Sequence, residues 1–132
     1  MSKLEIGLKG SKKLVVERQH LASFTGNIGA EVLSTHQVVL LMEQASRNAI
    51  ERFLPNGKMT VGTFIRLWHL AAVPVGSTVR AEAYLKEIVG RRLVFEVAAY
   101  DEFEKIAEGI NEQLIVQIDS FFRRVKRKQK TA

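Results

Sequence analysis

The sequence predicts an α+β domain in which a curved antiparallel sheet wraps one long helix, and three observations carry that prediction. Val38, Leu41, Met42, Ala45, Ala49 and Phe53 recur at helical spacing, with Gln37, Gln44, Asn48, Glu51 and Arg52 on the other side. At Pro55-Asn56-Gly57 the helical period stops, and from there apolar and polar residues alternate as in half-buried strands. The alternating segments are joined by short turns, as in an antiparallel meander. A lone helix cannot bury its apolar stripe by itself, so the sheet must cover it.

Taken in order, a short strand is expected at 13–17, followed by a loop that contains Thr25-Gly26-Asn27-Ile28-Gly29. The helix is expected over 33–54, with Ser34 or Thr35 capping its start and Gln37 completing a capping box with Ser34. A long strand follows at 58–70, ended by Pro74 and Gly76. In the strand at 78–86, Val79, Ala81, Ala83 and Leu85 share the buried face. Val89-Gly90-Arg91 turns the chain into a strand at 93–100, and Asp101-Glu102 opens the reversal into the last strand at 106–118, where Gly109 suggests a bulge.

The chain has 132 residues, 46% of them hydrophobic, enough to enclose one core and too few for two. Its longest clean apolar run, Val38 to Met42, falls far short of the roughly 20 residues that span a bilayer, and the N-terminal segment lacks the apolar stretch of a secretory signal. Cysteine is absent, which excludes disulfides and thiolate metal sites and suits a cytoplasmic setting. The net charge of +6 is unevenly placed: residues 119–132 hold six basic side chains and one acid, leaving 14 basic against 13 acidic in residues 1–118. The expected organisation is therefore a nearly neutral domain over 1–118 and a basic, solvated tail over 119–132. Such a distribution argues against nucleic-acid binding by the domain, although the tail alone could meet phosphates.

Three residues stand out chemically. Glu43 follows five apolar residues, and a carboxylate beside a core has either a raised pKa or a partner; its spacing to Arg47 and Glu51 would equally suit an ion-pair ladder on the helix surface. His69 shares a strand face with Ile65 and Leu67, so it should point toward the helix while Arg66 and Trp68 point away. A histidine so placed is either a satisfied core residue or a neutral-pH proton carrier. Thr35, at the helix start, reads most simply as a cap. No phosphate loop, nucleophile elbow, zinc-helix motif or dinucleotide fingerprint occurs, and neither a metal nor a cofactor is implied.

Val32-Leu33-Ser34-Thr35, Leu41-Met42-Glu43-Gln44-Ala45, Val61-Gly62-Thr63, Trp68-His69-Leu70-Ala71-Ala72 and the run from Gly90 to Val97, in this order and spacing, resemble the hotdog-fold thioesterases related to the fluoroacetyl-CoA thioesterase. The resemblance covers nearly all of the chain except the basic tail. It implies a hotdog fold, a catalytic group of Thr35, Glu43 and His69, a homodimer with sites at the subunit interface, and no cofactor. It also implies substrate contacts at Gly62 and at a position on the last strand where the related enzyme has arginine and this chain has Gln113. Gly26 and Gly29 stand where the fluoroacetyl enzyme has a phenylalanine lid, so the resemblance implies thioester cleavage without implying fluoroacetyl selectivity. The expected activity is hydrolysis of a short or medium acyl-CoA. The competing expectation is a hotdog protein that binds acyl-CoA as a sensor or carrier without turnover.

Overall fold

The computed structural model describes residues 3–129. Strand β1 (Lys9–Val15) is followed by single 3-10 turns at Arg18–His20 and Ala22–Thr25, then helix α1 (Thr35–Ile50). Strands β2 (Lys58–His69), β3 (Thr78–Val89), β4 (Arg92–Tyr100) and β5 (Lys105–Gln117) come next, and helix α2 (Ile118–Lys126) follows. All neighbouring strands are antiparallel, in the order β1-β3-β4-β5-β2, so β1 and β2 are the two edges.

The core lies between α1 and one face of the sheet. Val38, Leu41, Met42, Ala45 and Ala49 of α1 are buried, as are Val79, Ala81, Ala83 and Leu85 of β3 and Leu93, Phe95, Val97 and Ala99 of β4. The periodicities of 3.6 and 2 read from the sequence thus meet across one apolar layer.

Several local expectations change. β1 begins at Lys9, four residues before the expected strand, because its inward position is a glycine and gives no hydrophobic alternation. A Cβ on Gly10 would collide with the backbone of Ala45 and Ala49, so α1 rests directly on β1, tied further by Asn48 Nδ2 donating to Ser11 O at 2.8 Å. α1 ends at Ile50 and tightens into a 3-10 turn at Glu51–Phe53, since Leu54 must be extended before Pro55. The capping box does not form: the Ser34 hydroxyl lies 3.3 Å from His36 Nε2 and caps no backbone N–H. Gly109 keeps regular register with Leu67 and Val97; it is glycine because a Cβ there would strike the Arg66 carbonyl. The basic end begins as helix α2, with Ile118 N–H donating to Gly57 O at 2.9 Å.

Candidate active site

Of the register shifts in the sheet, the one that shapes the site is on β2. Register shifts between Gly62 and Phe64, so Thr63 is the extra residue. Gly62 and His69 are seven positions apart, and in an unbroken strand an odd separation would put them on opposite faces. The bulge exchanges the faces, and both now meet α1. This is why one strand can serve the helix at two places.

At the far end of β2, the half-buried His69 has its Nδ1 2.9 Å from Oγ1 of Thr35, the first residue of α1. Its Nε2 is buried and has no hydrogen-bond partner among the described residues. Burial pushes the His69 pKa down from its ordinary value, opposed by the Ala71 backbone, which lies near the ring without bonding Nε2. At neutral pH the ring is therefore neutral. Arg66 and Trp68 turn to the other side, as expected, and stack with the guanidinium 5.4 Å from the indole centroid.

At the bulge, the half-buried Glu43 places its carboxylate where a side chain at residue 62 would begin. Gly62 is thus the residue that makes room for it. Among the described residues no ion pair joins Glu43 to Arg47, so the surface-ladder reading does not hold. Gln113, paired with Gly62 across the sheet, is buried beneath this contact. Its Oε1 accepts from Thr60 Oγ1 at 2.7 Å, and its Nε2 donates to Asn111 Oδ1 at 2.9 Å and more weakly to Glu43 O at 3.4 Å. Asn111 and Thr60 were not singled out from the sequence. The available signal was two amides, Asn111 and Gln113, on the same inward strand face.

The two halves of the expected group are separate within one chain. Thr35 is helical, not in a bent entry loop, so Glu43 lies about 12 Å further along the axis. Gly62 and His69 are roughly 20 Å apart along β2. The structure joins Thr35 to His69, and Glu43 to Gly62 and Gln113, but does not bring Glu43 to His69.

The larger groove, about 760 Å³, crosses the opposite face of the sheet past Trp68 and Tyr84 and includes none of these residues. A hollow of about 500 Å³ lies one helical turn beyond Glu43, between Arg47 and Thr60, over Ile50, Leu54 and Met59. Among the described residues no three histidine, aspartate or glutamate side chains converge as a metal cage would require.

Comparison with known proteins gives the fold and the family. The profile of the family described as fluoroacetyl-CoA-specific thioesterase matches residues 16–119. The fluoroacetyl-CoA thioesterase of Streptantibioticus cattleyicolor is 37% identical over 98 residues, covering 74% of this chain and 70% of that protein. A crystal structure of a point mutant of the fluoroacetyl-CoA-specific thioesterase superposes with a TM-score of 0.89 at 29% identity, over 97% of this chain and 99% of the other. A Thermus thermophilus thioesterase superfamily member superposes at 0.86 with 30% identity, over 98% of each chain. A hot-dog-like protein of Thermanaerovibrio acidaminovorans, 22% identical, shares the fold at 0.88 over 96% of this chain and 94% of its own. The fold is therefore the hotdog, and the chain belongs to the fluoroacetyl-CoA-specific thioesterase family, whose members are thioester hydrolases.

Proposed function

We propose that this protein hydrolyses a short or medium acyl-CoA to the free acid and CoA, using Thr35, Glu43 and His69 in a site completed by a second copy of the chain. The observation that carries this reading is the Glu43 carboxylate seated over Gly62, remote from its own chain's Thr35–His69 pair. β2 is an edge strand with Phe64 and Trp68 exposed along it, and an edge left open invites pairing. Antiparallel pairing of two β2 edges, centred near Ile65 and Arg66, would carry Gly62 and Glu43 toward His69 of the partner subunit.

In such a site Glu43 either attacks the thioester carbonyl, giving an anhydride that water then opens, or takes a proton from the attacking water. The C–S bond breaks in both routes, and the thiolate leaves and is protonated. Neutral His69, held by Thr35, is suited to orient the carbonyl or to pass a proton. Gly62 leaves room beside the carboxylate, and Gln113 closes the acyl end from beneath. With glutamine in place of arginine, that end is uncharged and suits an uncharged acyl group. A panel of acyl-CoA thioesters, followed by thiol release with wild type beside Glu43→Gln, tests the reading. Binding of acyl-CoA by the wild type without turnover would instead support the sensor or carrier.

Neutrality of His69 has a consequence for stability. Because its folded pKa lies below the unfolded value of about 6.5, the unfolded chain binds the proton more readily. Stability should be complete above that pH and decline as pH falls toward the lowered value. Melting temperature measured against pH should show this decline in wild type and less of it in His69→Asn. Equal declines in the two proteins would remove the assignment.

The basic helix is read as an electrostatic aid to CoA capture, outside the chemistry. Replacing Arg123, Arg124 and Lys126 by glutamine should raise KM about threefold to tenfold at low salt, flatten its salt dependence and leave kcat unchanged. A loss of kcat in the folded variant would place the helix in the site itself. The cytoplasmic setting belongs to the same reading and rests on the absence of cysteine. Among the described residues no helix is long and apolar enough to cross a membrane.

A further inference from the structure

Asn111 is fully buried and Gln113 is 1% exposed, in a layer that is mostly apolar. Burying two amides is costly unless every polar atom is matched, and here the matching runs in one direction. Thr60 Oγ1 donates to Gln113 Oε1 at 2.7 Å, which turns Gln113 Nε2 toward Asn111 Oδ1 at 2.9 Å. That contact in turn directs Asn111 Nδ2 to the Phe64 carbonyl at 3.0 Å. A flipped Gln113 would set its oxygen against Asn111 Oδ1 and the Glu43 carbonyl, and a flipped Asn111 would set its oxygen against the Phe64 carbonyl. The ends of this relay are informative. One reaches the Glu43 carbonyl on α1, and the other reaches Phe64, the residue that closes the β2 bulge. Between them lies the contact of the Glu43 carboxylate with Gly62.

We propose that Thr60, Gln113 and Asn111 are positioning residues that lock the main chain at Glu43 and at the Gly62–Phe64 bulge in one mutual register. The inference rests on the thioesterase reading of Glu43. The relay touches Glu43 only through its backbone and the bulge, so it acts on where the carboxylate stands. The Glu43 and Phe64 carbonyls, which can only accept, fix the orientation of both amides, and the Thr60 hydroxyl holds Gln113 in that orientation by donating to its Oε1. Losing it lets Gln113 rotate, frees the Asn111 amide and slackens the bulge, while the apolar core on β3 and β4 is untouched. A carboxylate displaced by a fraction of an ångström binds substrate almost as before but reacts more slowly.

The test uses full-length wild type, Thr60→Val, Thr60→Ser, Gln113→Met and Glu43→Gln, each assayed with acetyl-, butanoyl- and hexanoyl-CoA and each melted. Thr60→Val keeps the shape of threonine and lacks only the hydroxyl. It should lower kcat about tenfold to a hundredfold at nearly constant KM, and Thr60→Ser should restore most of the loss. Gln113→Met should lower kcat by the same factor for all three thioesters, whereas a lost acyl contact would depend on chain length, which keeps the test decisive if valine at 60 disturbs folding. Full kcat in folded Thr60→Val, a rise in KM alone, or failure of Thr60→Ser to restore turnover would overturn the relay, while an inactive Glu43→Gln leaves the active-site reading standing. A fully active Glu43→Gln would instead remove that reading, and the relay with it.

Discussion

Glu43→Gln should lower turnover of the best acyl-CoA substrate by at least about a hundredfold, the range seen when a group acting as general base or nucleophile is removed. The exchange replaces one carboxylate oxygen by an amide nitrogen of similar size, so the contact over Gly62 persists and α1 keeps its packing of Leu41, Met42 and Ala45. Stability should change little, because Glu43 makes no ion pair among the described residues that the amide would break. KM should also stay close to wild type, since the change removes reactivity and not shape. Thiol release measured over the acyl-CoA panel gives both constants. Wild-type turnover by this variant would mean that Glu43 is a structural carboxylate and that the chemistry lies elsewhere.

The second large effect is a recovery of lost activity. Glu43→Gln and His69→Ala should each be inactive alone, and mixing them under conditions that exchange subunits should restore about a quarter of wild-type activity. The fraction follows from geometry. If each site takes Glu43 from one chain and the Thr35–His69 pair from the other, a mixed dimer has one site with both residues intact and one with neither. Random exchange makes about half of the dimers mixed, and each carries half of its sites in working order. Sedimentation of the mixture confirms that dimers are present. A wild-type protein that is fully active as a monomer would end the two-chain reading, whereas failed complementation between dimers would put Glu43 and His69 in one chain.

The fold was legible because its two periodicities are clean. The stripe from Val38 to Ala49 and the alternation from Val79 to Leu85 name the faces that pack, and the structure buries them. β1 was read short for a physical reason: Gly10 occupies a core position without contributing a hydrophobic side chain, so alternation is lost where helix and strand are closest. The inward direction of His69 was legible from Ile65 and Leu67, and its partner Thr35 came from the family resemblance. The bulge at Thr63 was not legible, because nothing in Val61-Gly62-Thr63-Phe64 distinguishes an extra residue from a regular one. The sequence points instead to Gly109, where the glycine serves close strand approach. The amide relay was missed since Asn111 and Gln113 look like ordinary polar strand residues until burial is known.

Gly10 and Gly62 together have a consequence for how this chain can vary. Most helix–sheet layers are spaced by side chains, so a larger residue at one point can be offset by a smaller one nearby. Here α1 meets β1 backbone to backbone at Gly10, and meets β2 through the head of Glu43 at Gly62. At these two supports the strand contributes no side-chain volume to trade. The height of α1 above the two sheet edges, and with it the depth of the Glu43 carboxylate, is thus set by two absent methyl groups.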